Sequence, residues 1–184
     1  NGGTFSDVTF SGVRTGSDLD IYTDDASAER RLTFEDTYTH DSVLRVWDHQ
    51  ISGGGAAFEG SGTLAIMGQG VSFSGGVANG AGHMISGFGN AGISGIVNRG
   101  LITTRSGGIE FGGVRITNVD DGRVVLSTGA RVLEIGAGWI IGGSLHGEAG
   151  ATYLGGEIGD THLTGELTIG DAQLSGAIFN DASL

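Results

Sequence analysis

Carboxylate side chains are concentrated in one stretch near the start of the chain, GSDLDIYTDDASAE. It holds Asp18, Asp20, Asp24 and Asp25, interspersed with small and apolar residues. Calcium takes about six to eight oxygen ligands, often from acidic loops, so these carboxylates form a candidate calcium site. Their spacing is not that of an EF-hand, and a solvated acidic loop is the alternative interpretation.

Histidines beside aspartates are the other residues that could do chemistry. His40 is followed by Asp41, and His49 is preceded by Asp48. Such pairs suit a metal or an acid–base function, and surface loop histidines are the alternative. The segment GFGNAG at 87–92 matches the dinucleotide-binding glycine pattern, but glycine is frequent and no βαβ unit surrounds the segment. The chain has no lysine, which excludes a Walker A loop, and we predict no catalytic residue and no enzyme activity.

The charge balance argues against one class of partner, and the length of the apolar runs argues against another. The formal net charge is −12, and the nine basic residues are all arginine. Nucleic-acid phosphates need a basic surface, so we expect no nucleic-acid partner. No apolar run approaches the roughly 18 residues of a membrane span, so we expect no membrane insertion. The chain has no cysteine and therefore no disulfides.

Short repeats appear near both ends of the chain. Three segments share an apolar residue, an Asp two positions later and a Leu three positions after that Asp: IGDTHLTG (158–165), IGDAQLSG (169–176) and FNDASL (179–184). The segment FSDVTFSG (5–12) has the same form, with Phe in the place of Leu. We expect Asp160 and Asp181 to stack on one face and to cap turns. Large apolar residues recur at about every fifth position here, which resembles the pentapeptide-repeat family and implies a right-handed β-helix.

A longer repeat of about 20 residues runs through the centre of the chain. Ile96 and Ile116 are 20 apart, as are Asn98 and Asn118. This period predicts an all-β fold, a right-handed parallel β-helix or β-solenoid with about 20 residues per coil and glycines at the corners. We expect one solenoid over 1–184, with a charged loop or insertion at about 14–50 followed by a strand within SVLRVWD. We expect Asn98 and Asn118 to form a stacked ladder.

The central pattern resembles bacterial surface β-solenoids of the filamentous-haemagglutinin-like and autotransporter-passenger-like kinds. The resemblance implies an extracellular or cell-surface structural or adhesive module, with a cell-surface glycan as one partner. Two alternatives stay open. One is a carbohydrate-active β-helix enzyme similar to polysaccharide lyases, and the other is an ice-binding solenoid. The groups that would serve the lyase-like enzyme are Asp120, Asp121, Arg99, Arg115 and Arg123.

The two ends of the chain share one register and carry no recognisable cap. Phe5 and Phe10 lie at one end, and Phe179 and Leu184 at the other. An uncapped solenoid end presents unpaired backbone groups and an apolar cross-section. We therefore predict that these four residues form an assembly interface, through which units stack head to tail into a filament. The units are separate subunits or tandem copies in one chain.

Overall fold

The computed structural model describes residues 7–21, 31–47, 49–52, 55–67, 72–87, 95–104, 115–128, 131–133 and 138–183. In these ranges the chain forms strands and turns and no helix, which confirms the predicted all-β class. The strands are β1 (Asp7–Arg14), β2 (Leu19–Ile21), β3 (Arg31–His40), β4 (Val43–Val46), β5 (Gln50–Ser52), β6 (Ala56–Glu59), β7 (Thr63–Ile66), β8 (Ser72–Ser74), β9 (Val77–Asn79), β10 (Met84–Ser86), β11 (Ile96–Asn98), β12 (Leu101–Thr103), β13 (Arg115–Asn118), β14 (Arg123–Leu126), β15 (Arg131–Leu133), β16 (Trp139–Ile141), β17 (Ser144–Leu154), β18 (Glu157–Gly159), β19 (His162–Gly170), β20 (Gln173–Ser175) and β21 (Ile178–Ser183).

The strands stack in parallel into three columns, one for each side of the coil. The first column contains the beginnings of β1 and β3, then β5 and β8, and further along β15 and the ends of β17 and β19. The second contains the ends of β1 and β3, then β6, β9, β11, β13, β16, β18 and β20. The third contains β2, β4, β7, β10, β12 and β14, then the beginnings of β17, β19 and β21.

Residues paired between neighbouring coils confirm the predicted coil length. Leu44 pairs with Leu64, and Leu64 pairs in turn with Ile85, at intervals close to the predicted period. Ile85 pairs with Ile102 after a shorter interval, so individual coils depart from the mean. The chain is therefore a parallel β-solenoid with about 20 residues per coil.

Buried and more exposed residues alternate along the strands, and the buried ones form the core. In β3 the buried residues are Leu32, Phe34, Tyr38 and His40, and the residues between Phe34 and Tyr38 are exposed. The strand turns a corner at Asp36, whose φ is 54°. Inward residues then stack coil on coil, and each fully buried Leu or Ile contributes about 1.5–3 kcal/mol of hydrophobic free energy.

The segment at 14–50 supplies strands to the coils. β2 pairs with β4, and β3 pairs with both β1 and β5. The strand expected within SVLRVWD is confirmed as β4, Val43–Val46. Residues 22–30 and 48 of this segment lie outside the described residues.

The expected stack of Asp160 on Asp181 is wrong. The last coil is short, since Leu163 already pairs with Phe179, before a full period has passed. Gly176 is the residue over Asp160, because a Cβ added at Gly176 would lie 2.1 Å from Asp160 Oδ1. Asp160 occupies a corner with φ 46°, a backbone conformation that Asp tolerates better than most residues.

Candidate functional site

The predicted asparagine ladder is present, and it is longer than expected. Asn79, Asn98 and Asn118 occupy one inward position of the second column in consecutive coils. Asn79 Nδ2 donates to Asn98 Oδ1 at 2.7 Å, and Asn98 Nδ2 donates to Asn118 Oδ1 at 2.7 Å. All three side chains are buried. Buried amides of this kind are stable only when their hydrogen bonds are made, so the ladder holds the coils in register.

Backbone groups fix the direction of the ladder. Gly100 N donates to Asn98 Oδ1 at 3.2 Å, and Asn98 Nδ2 also donates to Arg123 O at 3.1 Å. At the far end Asn118 Nδ2 donates to Gly142 O at 3.0 Å. These contacts identify the oxygen and the nitrogen of each amide, and Asn79 Oδ1 is therefore directed away from Asn98.

Two buried histidines continue the ladder toward the start of the chain. His83 Nδ1 lies 2.6 Å from Asn79 Oδ1, and His83 Nε2 lies 2.8 Å from His40 Nε2. His40 Nδ1 lies 3.0 Å from Ser42 O. We call the whole series the polar chain, and its groups are, in order, Ser42 O, His40, His83, Asn79, Asn98, Asn118 and Gly142 O.

A glycine provides the space that the His40 ring needs. The ring extends past the intervening coil to reach His83, and a Cβ added at Gly62 would lie 2.4 Å from His40 Nδ1. Aromatic rings enclose the rest of the pair. The Phe58 ring stacks on His83 with centroids 5.5 Å apart, and the Tyr38 ring lies 5.2 Å from that of His40.

Burial keeps both histidines neutral. Desolvation, followed by the charge of a protonated His40, lowers the pKa of His83 to about 3. Desolvation also lowers the pKa of His40, and the Ser42 carbonyl partly opposes this shift by accepting a hydrogen bond from the protonated ring. At neutral pH the polar chain therefore carries no net charge.

Of the two histidine–aspartate pairs considered from the sequence, His40 and Asp41 make no hydrogen bond to each other, and Asp48 lies outside the described residues. The His40 ring contacts His83, whereas Asp41 Oδ1 accepts a hydrogen bond from Gly16 N at 3.1 Å. The His49 ring contacts the Trp47 carbonyl. His40 and His49 are both 2% exposed, so neither is a surface loop histidine.

Two members of the polar chain were missed by the sequence analysis. Asn79 had a detectable signal, because VAN at 77–79 matches IVN at 96–98 and ITN at 116–118. His83 had none, since it is a single histidine after a glycine and its partner lies 43 residues away.

The acidic stretch proposed for calcium is paired with an arginine where it is described. Arg45 Nη2 lies 2.9 Å from Asp18 Oδ2, and Arg45 Nη1 lies 3.3 Å from Asp20 Oδ1. Val43 N donates to Asp18 Oδ1 at 3.0 Å. This bond and Arg45 lower the pKa of Asp18. Asp24 and Asp25 lie outside the described residues. Among the described residues no group of three or more metal-ligating side chains occurs. The calcium site therefore stays a prediction.

The residues considered for a lyase-like enzyme make surface contacts of their own. Arg99 Nε lies 3.2 Å from Asp120 Oδ2, and both side chains are largely exposed. The Arg115 guanidinium lies over the Trp139 ring, 4.8 Å from its centroid. Two of the three candidate arginines are therefore engaged along the second column.

The last described coil has uncovered apolar side chains. Phe179 is 44% exposed although its partner Leu163 is fully buried, and Leu174 is 45% exposed above the buried Ile158. At the other end, Phe10 is partly buried and its ring stacks on Phe34 with centroids 4.9 Å apart. Phe5 and Leu184 lie outside the described residues.

Among the described residues there is no helix of the length and apolarity that crossing a bilayer requires. Comparisons of the chain with protein-family models, with curated proteins and with solved structures give no match. The fold therefore assigns the chain to the parallel β-solenoids by its own geometry, and the resemblance to bacterial surface solenoids depends on the repeat pattern alone.

Proposed function

We propose that this chain is a structural module of an extracellular or cell-surface solenoid. The solenoid lengthens when the first coil of one copy stacks on the last coil of another. The observation that carries the proposal is the exposure of inward-facing residues on β20 and β21. Leu174 and Phe179 continue the buried stacks above Ile158 and Leu163, yet they are about half exposed because no described coil covers them.

Register supports a second copy as the occupant. One inward stack of the third column runs from Leu19 through Leu44 and Leu64 and continues to Leu163 and Phe179. Leu19 is only partly buried, and within the described part of the chain β2 pairs with a strand on one side, β4. A second copy that sets its Leu19 over Phe179 adds one more level to the same stack.

Backbone hydrogen bonding supports the same arrangement. In the described sheets β20 pairs only with β18, β21 only with β19, and β2 only with β4. As an edge of a described sheet, each of these strands presents N–H and C=O groups that can bond to another parallel strand. A contact between opposite ends of identical units does not close on itself, so repetition gives a filament and not a ring.

The net charge of the chain and its resemblance to surface solenoids support the proposed location and role. A net charge of −12 suits a soluble protein and opposes binding to nucleic acid or to anionic lipid. The resemblance to surface solenoids supports a structural or adhesive role, with a glycan as a partner along the sides of the rod. This role requires no catalytic group.

Replacement of Phe179 by glutamate tests the assembly. We expect the unmodified chain to form rods that lengthen with concentration and the Phe179→Glu variant to stay as single units, because a buried unpaired carboxylate is costly. Val97→Glu is the matched control, since Val97 is 41% exposed on β11 in the middle of the solenoid. Sedimentation velocity and electron microscopy give the readout. A monomeric parent chain, or filaments of the Phe179→Glu variant, would overturn the proposal.

A further inference from the structure

The polar chain contains more hydrogen-bonding contacts than protons to fill them. Its six contacts join five side chains to one another and to a carbonyl oxygen at each end. A neutral imidazole has one N–H, and each asparagine directs one N–H along the chain. Five protons therefore serve six contacts. Turning any amide or changing any tautomer leaves the count the same, because both ends only accept.

The contact without a proton can be located. Asn79 Oδ1 accepts, so His83 Nδ1 carries the proton in their 2.6 Å contact. A neutral His83 then has a bare Nε2, and the 2.8 Å contact, which is shorter than the 3.0 Å one to Ser42 O, favours donation from His40 Nε2 to that atom. The bare atom is His40 Nδ1, which faces Ser42 O at 3.0 Å. Ser42 O already accepts a hydrogen bond from Thr63 N, so it does not depend on His40.

We propose that His40 Nδ1 is a built-in proton-binding site, and that the polar chain is a pH-sensitive element of the solenoid. Uptake of one proton from water completes the sixth contact as Nδ1–H donating to Ser42 O. It also places a positive charge in the core beside aromatic rings. His40 therefore titrates before His83, because a proton on His83 Nε2 has no acceptor once His40 donates to that atom.

Charged groups near the pair are few among the described residues. Arg14 pairs with His40 across β1 and β3 and opposes the proton, whereas Asp41 favours it. Glu59 is on β6, adjacent to the His40 corner, and its carboxylate lies against Gly80. Desolvation remains the largest influence on both rings, and it favours their neutral forms.

The sign of the pH effect follows from these shifts. Both folded-state pKa values lie below the ordinary value of 6.5, so the unfolded chain binds protons that the folded chain does not. Stability from the neutral pair is complete above that value and is lost as the pH falls below it. For each histidine that stays neutral in the fold, the unfolding equilibrium constant rises by up to about tenfold for every unit by which the pH falls below that value.

Nitrogen-15 NMR of the histidine rings of the intact chain tests the site directly. At about pH 7.5 we expect His40 to carry its proton on Nε2 and His83 on Nδ1. On acidification His40 Nδ1 should gain a proton before His83 changes. A proton on His40 Nδ1 at the higher pH, or earlier titration of His83, would overturn the proposal.

Unfolding measurements on variants supply a second test. His40→Gln keeps one donor and one acceptor but cannot titrate, so its unfolding constant should rise less steeply between about pH 7 and 5.5 than that of the parent. His146→Gln is the control, because His146 contacts Thr164 outside the polar chain. Parallel pH profiles for the parent and His40→Gln would contradict the proposal, and a failure of His40→Gln to fold would leave the NMR result decisive.

Discussion

Removal of the central amide of the asparagine ladder gives the sharpest test of what holds the coils together. Asn98 is fully buried and lies between Asn79 and Asn118. Its side chain donates two hydrogen bonds and accepts two, and the partner groups lie in three consecutive coils. The Asn98→Ala variant removes all four bonds and leaves the backbone of β11 unchanged.

The expected loss follows from the groups left behind. Three groups lose their hydrogen bond to Asn98, namely Arg123 O, Gly100 N and Asn118 Oδ1. Asn79 Nδ2 keeps its hydrogen bond to Leu101 O at 3.3 Å. A buried polar group without its partner costs about 1–2 kcal/mol in this setting, so three such groups give about 3–6 kcal/mol of lost unfolding free energy.

Urea unfolding followed by circular dichroism measures the loss. Val97→Ala is the matched control, because Val97 is the preceding residue and is partly exposed on the outer side. We expect that control to change the unfolding free energy by about 0.5 kcal/mol or less. If Asn98→Ala falls within about 1 kcal/mol of Val97→Ala, the ladder does not stabilise the fold and the reasoning from unsatisfied groups is refuted.

Two further predictions concern the corner glycine and calcium. Gly62→Ala should lower the unfolding free energy by about 1–3 kcal/mol, because the added Cβ would lie 2.4 Å from His40 Nδ1. Gly76→Ala, where a Cβ meets nothing within 4 Å, should leave that free energy nearly unchanged, and equal losses in the two variants would refute the role of Gly62. If Asp18, Asp20, Asp24 and Asp25 hold calcium, EDTA should lower the melting temperature and added calcium should restore it. An unchanged melt would identify them as solvated charges and as partners of Arg45.

The architecture could be predicted from the sequence because it depends on two local periods. Alternation along each strand decides which side chains point inward, and the recurrence of about 20 residues decides which of them stack. Ile96, Ile116, Asn98 and Asn118 showed both periods, so the solenoid and part of the ladder were predictable. These features need only the geometry of strands and the burial of apolar or hydrogen-bonded groups.

The polar chain and the ion pairs depended on the tertiary structure. Coil lengths vary, since the interval from Leu19 to its partner Leu44 is longer than the mean period and that from Ile85 to Ile102 is shorter. A fixed offset therefore misplaces some neighbours, which is why Asp160 does not meet Asp181. It is also why His83, which reaches across the Gly62 coil to His40, could not be assigned a partner from its spacing. Which residues meet at a corner is decided by how each coil packs on the one before it, and a linear sequence does not record that register.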